Sequence, residues 1–147
     1  MIPITIRAAV EDDLHFIYNS FLLTTRDALP ASLIPKDIFF HNKPKEVDDI
    51  LEVSNTIIAC QPDSEDIIYS YLIYSILNDN LIIHLVYTKA AFRKLGVAKR
   101  LIESIVPGFQ DNIIITTQIS KSLLAMKKKY KIIYDPYCLN ILKGIVK

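Results

Sequence analysis

Arg93-Lys94-Leu95-Gly96-Val97-Ala98 is the stretch on which the reading of the fold turns. It follows the strand-like run Leu81 to Thr88 and opens a segment, about Val97 to Val106, whose apolar residues Val97, Leu101, Ile102 and Ile105 recur at helical spacing. A strand that turns through such a loop into a helix presents consecutive backbone N–H groups at the helix N-terminus, where the dipole also favours an anion. Gly96 is one of only three glycines in 147 residues, so it sits where the backbone needs it. Without a Cβ it lets the main chain approach a ligand closely. Ala98 keeps the first helical turn slim, and Arg93, Lys94, Lys99 and Arg100 surround it with positive charge. The loop reads as a phosphate cradle; on spacing alone it reads equally as plain turn geometry. Neither Gly-x-x-x-x-Gly-Lys-Ser/Thr nor Gly-x-Gly-x-x-Gly is present, which sets aside the P-loop and the dinucleotide fingerprint.

Outward from the loop, the pattern alternates strands and helices. Ile4 to Arg7 alternates as a short strand, and Glu11 to Leu23 carries Leu14, Ile17, Tyr18, Phe21 and Leu22 at helical spacing. Pro30, Pro35 and Pro44 mark an irregular crossing segment before a helix from about Lys45 to Val53, with Val47, Ile50 and Leu51 inward. Thr56 to Cys60 and Ile67 to Leu77 read as strands, and Asn78-Asp79-Asn80 as a hairpin turn into the strand Leu81 to Thr88. After the loop helix, which Pro107-Gly108 stops, come a strand Asn112 to Thr117, an amphipathic helix Ser120 to Lys129 and a strand Lys131 to Tyr134. Leu139 to Leu142 reads as a seventh strand. Hairpin pairing first and helical crossovers later imply an α/β fold: a mixed, mostly antiparallel sheet of six to seven strands with helices on both faces.

Composition narrows the classes of function. A chain of 147 residues that is 51% hydrophobic fits one domain spanning residues 1–147. Seventeen basic against 16 acidic residues leave a net charge of +1, which calls for neither a nucleic acid nor a membrane as partner. Two distant cysteines, Cys60 and Cys138, with three histidines give neither a disulfide framework nor metal-ligand spacing. The N-terminus lacks the basic flank of a signal peptide, and no apolar run approaches the roughly 20 residues of a membrane span. The expectation is a cytoplasmic protein, in a host cytoplasm if virus-encoded.

The loop Arg93 to Ala98 resembles the Gln/Arg-x-x-Gly-x-Gly/Ala motif of the GNAT superfamily of acetyl-CoA-dependent N-acetyltransferases, and its position after the fourth strand matches too. The resemblance extends over nearly the whole chain. The element order is similar, and Ile6-Arg7-Ala8-Ala9 with Asp12-Asp13 looks like the family's first strand and turn. The resemblance implies acetyl transfer from acetyl-CoA to a primary amine on a small molecule or macromolecule, and it leaves a homodimer open. It implies that the fourth and fifth strands splay, that pantetheine bonds the main chain of Leu85, Val86 and Tyr87, and that the pyrophosphate rests on the amides of Lys94, Leu95, Gly96, Val97 and Ala98, beside Arg93. The amine would arrive from the opposite side.

Amine acylation needs a base for the attacking nitrogen and, usually, an acid for the departing thiolate. His84 is the candidate base: period-two alternation groups it with Ile82 and Val86, and its near-neutral reference pKa suits proton transfer. It reads alternatively as a hydrogen-bonded residue in an apolar strand, since the family's carboxylate usually falls slightly earlier. Family members commonly place an acidic tyrosine late in the helix after the fifth strand, where this chain has Met126 or Lys127; Tyr130 is the nearest hydroxyl, as acid or as a packing residue. Lys127-Lys128-Lys129 is an anion patch or a dipole-favoured last turn. Arg26-Asp27 is a substrate contact or a turn cap. Two other functions stand beside the transferase: a catalytically silent CoA-binding or structural module, and nucleic-acid base modification, because Asn19 to Arg26 resembles phage-encoded relatives associated with altered DNA bases.

Overall fold

The computed structural model describes residues 1–28 and 31–146. Six strands form one sheet in the order β1-β2-β3-β4-β5-β6: Thr5–Ala8, Asn55–Gln61, Ser64–Leu77, Asn80–Thr88, Ile114–Thr116 and Ile132–Tyr134. The first three pairings are antiparallel and the last two parallel. The switch follows from the connections. A two-residue turn joins β3 to β4, with Asn78 and Asp79 at φ 51° and 66°, the left-handed geometry that matches strand twist. β4 reaches β5, and β5 reaches β6, only through helical crossovers, which parallel neighbours require.

Helices cover both faces. On one lie α1 (Leu14–Arg26), α2 (Lys36–Glu52) and α5 (Cys138–Val146), whose Ile17, Phe21, Val47, Ile50 and Leu139 pack on Ile58, Tyr71, Ile73 and Leu85. On the other lie α3 (Val97–Ile105) and α4 (Lys121–Met126), with Val97, Leu101, Ile102 and Leu123 against Leu72, Ile83 and Val86. Val97, Leu101 and Ile102 are each at most 1% exposed, so each contributes about 1.5–3 kcal/mol of apolar burial. The turn after β1 is closed by Arg7, which donates to both Asp13 oxygens at 2.7 and 2.9 Å; the guanidinium and the Val10 N–H hold that carboxyl below its usual range.

Three expectations change. α2 starts at Lys36, nine residues before the predicted Lys45, with Pro35 as its N-cap and Pro44 inside it. Proline is tolerated at a helix start, and the phenyl rings of Phe39 and Phe40 anchor the added turns. Leu139 to Leu142 belongs to α5 rather than to a seventh strand, because Cys138, Leu139 and Leu142 bury at helical spacing. α4 is shorter than predicted: Ser120 caps it by accepting from the Leu123 N–H at 3.2 Å, and Met126 is its last residue. Pro30 lies outside the described residues. No helix among those described is long and apolar enough to cross a membrane.

Candidate active site

β4 and β5 pair at two positions only, Ile82 with Ile115 and Ile83 with Thr116. β4 then continues to Thr88 while β5 ends, so the strands part at His84 and Thr117. At the same point the pairing of β4 with β3 slips. Ile73 faces Leu85 and Tyr74 faces Ile83, leaving His84 as the extra residue of a β-bulge. The bulge also breaks the period-two grouping expected from sequence: Val86 packs with Leu81 and Ile83 on the α3 side, whereas Ile82 and Leu85 pack on the α2 side.

The parted strands open into a cavity of about 500 Å³ lined by Val86, Phe92, Gly96, Ala98, Met126 and Tyr130, among others. The loop forms its rim. Lys94 and Gly96 adopt φ of 66° and 77°, so two left-handed residues lie within the three-residue turn Lys94 to Gly96. None of the three donates to a backbone acceptor among the described residues, and Gly96 caps α3 without a side-chain bond, so the first-turn amides are free as well. A Cβ on Gly96 would meet no protein atom within 4 Å. Such a cluster of unpaired donors at a helix start can hold an anion.

The residues expected to surround it divide. Arg93, Lys94, Gly96, Val97, Ala98 and Lys99 all line the cavity, as does Lys129 from the lysine run. Arg93 also donates from Nε to the Thr88 carbonyl at 3.0 Å, which fixes its stem. Leu95 does not line the cavity and is 47% exposed, so its side chain points to solvent. Arg100 is a correction: its guanidinium donates to the Ile2 carbonyl at 2.6 Å, on the far side of α3. Of Leu85, Val86 and Tyr87, only Val86 presents a side chain to the cavity, while Tyr87 stacks on Tyr71 across the sheet.

His84 is fully buried and lines neither cavity. Nε2 lies 2.9 Å from Ser75 Oγ and Nδ1 lies 2.6 Å from Thr117 Oγ1. The near-neutral imidazole expected from sequence does not hold: burial lowers it to about 4, because an enclosed ring resists charge. Tyr130 stands beyond the end of α4 on the wall of the first cavity, its ring 5.2 Å from that of Phe109.

A second cavity, about 370 Å³, lies on the opposite face between α2 and the ends of β5 and β6. Ile34, Ile38, Phe39 and Ile119 make its apolar wall, and Thr117, Gln118, Glu46 and Tyr134 are among its polar groups. Lys43 bridges Glu46, at 2.8 Å, and the Gln118 amide oxygen, whose NH₂ returns to Glu46 at 3.1 Å. Arg26 does not reach this cavity. It donates to the carbonyls of Ala31 and Ile34 and covers the Phe39 ring at 5.3 Å, so it shapes the wall from behind.

Solved structures share this architecture. A histone acetyltransferase HPA2-related acetyltransferase from Corynebacterium glutamicum superposes with a TM-score of 0.60 at 12% identity, over 86% of this chain and 83% of that one. A GNAT-family acetyltransferase from Staphylococcus aureus gives 0.54 at 16%, over 86% and 79%. The chain has the GNAT fold. Against the ribosomal-protein-S18-alanine N-acetyltransferase from Escherichia coli the score is 0.47 at 13% identity, over 74% of this chain and 61% of that one, less than two thirds of its length. No family model and no curated protein matches the sequence.

Within this GNAT fold, sequence reasoning missed Ser75, Thr117, Gln118 and Glu46. One signal was present: Thr116-Thr117-Gln118 closes an apolar strand with three polar residues in a row. Their partners depend on the bulge and on α2, neither of which local pattern shows.

Proposed function

We propose that the chain is a single acyltransferase domain that moves an acetyl group from acetyl-CoA to a primary amine. The observation that carries this reading is the rim of the first cavity, where unpaired amides from Lys94 to Ala98 meet the gap between β4 and β5. These amides, with Arg93 and Lys99, fit a pyrophosphate. The edge of β4 beyond Ile83 has no strand partner on that side among the described residues, so its main chain is available to an extended pantetheine arm. Acetyl-CoA would supply a thioester carbonyl open to attack by an amine. Phe92, Ile102 and Met126 exclude water around it, and Tyr130, a phenol on the cavity wall, is the candidate donor to the departing sulfur. The second cavity is the place for the amine.

Isothermal titration with acetyl-CoA tests the reading, with Gly96→Val beside the wild type. A β-branched residue at φ 77° is strained, and its side chain would enter the space the ligand needs. The expected result is binding by the wild type and at least a tenfold weaker affinity in the variant. Equal affinities would refute the assignment. One observation favours a second reading, a CoA-binding module without turnover: His84 reaches neither cavity directly. Binding of acetyl-CoA with no thiol release over a broad amine panel would support it.

A further inference from the structure

Resting on that reading, the hydrogen-bond partners of His84 identify a residue that sequence did not. Ser75 Oγ has one proton and donates it to the Val53 carbonyl at 2.9 Å, an acceptor only. Toward His84, Ser75 therefore accepts, and Nε2 carries the ring proton. A ring kept neutral by burial then has a bare Nδ1, and the Thr117 hydroxyl donates to it. Thr117 Oγ1 has no other partner among the described residues. The chain Thr117–His84–Ser75–Val53 thus runs one way, aimed from the wall of the second cavity into the core. It also spans the apex of the gap: the backbone ladder of β4 and β5 stops at Ile83 and Thr116, and the next residue of each strand joins the other through this side-chain bond.

We propose that Thr117 is a catalytic residue that takes the proton of the attacking amine and passes its own to His84, which Ser75 positions. As the nitrogen–carbon bond forms at the thioester carbonyl, the nitrogen becomes acidic. Its proton moves to Thr117 Oγ1 while the Thr117 hydroxyl proton moves to Nδ1, and the Nε2 proton stays on its bond to Ser75. The carbon–sulfur bond breaks with its electron pair on sulfur, and CoA leaves as a thiolate that takes a proton from Tyr130, which regains one from solvent, or from solvent directly. His84, a weak base in this enclosure, returns its proton through Thr117 to water in the second cavity. A buried imidazole can act this way without touching substrate, which reconciles its enclosure with a role in transfer.

The test pairs Thr117→Val, which keeps shape and removes the hydroxyl, with Thr117→Ser, which keeps the hydroxyl. Thiol release is followed with acetyl-CoA and a panel of spermidine, lysyl peptides and peptides with a free N-terminus. The valine variant should lose about 10²–10⁴-fold in kcat with acetyl-CoA affinity by titration unchanged, and serine should restore most of it. Nitrogen-15 NMR of the His84 ring in the ligand-free protein should show Nε2 protonated and Nδ1 bare. A kcat in Thr117→Val within twofold of wild type, or a proton on Nδ1, would overturn the relay while leaving the transferase reading intact. A wild type that binds acetyl-CoA and releases no thiol with any amine would overturn the transferase reading and the relay with it.

Discussion

At the scale of single residues, His84 shows how far sequence reaches. Its presence on a strand near the gap was legible; its surroundings were not. Leu81-Ile82-Ile83-His84-Leu85-Val86 reads as uninterrupted strand, and nothing in it marks the bulge that turns Val86 away from the face that holds Ile82. Gly96 was legible for the opposite reason, since a scarce glycine at a strand-to-helix turn has few uses, and it does adopt the left-handed geometry. Burial of His84 has a consequence for stability. Burial lowers the native ring to about 4, whereas the unfolded ring keeps its ordinary value of 6.5. Between those values the unfolded state binds more protons, so stability is full above about pH 6.5 and declines as pH falls, by about 3 kcal/mol in total. Urea unfolding of the wild type from pH 7.5 to 4.5 should show this decline, and His84→Gln, which does not titrate, should flatten it. The Arg7–Asp13 pair acts in a separate window, below the carboxyl's ordinary 3.8, so it leaves this range undisturbed. Identical pH profiles in the two proteins would show that the ring is solvated.

At the scale of elements, pattern reading succeeded where periodicity was long and failed where it was short. α3 and the β3–β4 hairpin came out close to their predicted bounds, the first from four apolar positions and the second from a turn whose residues tolerate positive φ. Leu139-Asn140-Ile141-Leu142 is four residues with three apolar side chains, too short for alternation and helical spacing to differ, and the contacts of Cys138 and Leu142 with Ile82 favour the helix. Pro35 and Pro44 argued for an irregular segment by propensity, and packing of Phe39, Val47 and Ile50 prevailed. α4 depends more on its cap than the others do, because six residues make little internal ladder. Ser120 is buried and its hydroxyl closes the first turn. Ser120→Ala should therefore cost about 1 kcal/mol in chemical denaturation. Since Met126 and Tyr130 follow on the cavity wall, the same change should also weaken acetyl-CoA binding measurably. An unaltered denaturation midpoint would mean that packing of Leu123 alone holds the turn.

At the scale of the molecule, the two cavities lie on opposite faces of one sheet, the first lined by Val86 of β4 and the second by Thr117, just past the end of β5. For the acetyl transfer proposed above, that arrangement has a kinetic consequence. Ligands on opposite faces can be present together, so transfer need not pass through a covalent form of the protein. The thiols also argue against one. Cys60 lies in β2 with its sulfur donating to the Thr5 carbonyl, and Cys138 starts α5 with its sulfur toward Asp135; burial, and then that carboxylate, raise the Cys138 thiol pKa. Neither lines either of the two cavities. Thr117 does line one, but its hydroxyl proton is directed to His84. Initial rates measured over a grid of acetyl-CoA and amine concentrations should therefore give intersecting double-reciprocal lines, the signature of a ternary complex. Parallel lines, together with an acetyl group recovered on Thr117 by mass spectrometry, would instead make the same hydroxyl a nucleophile, with His84 serving as its base.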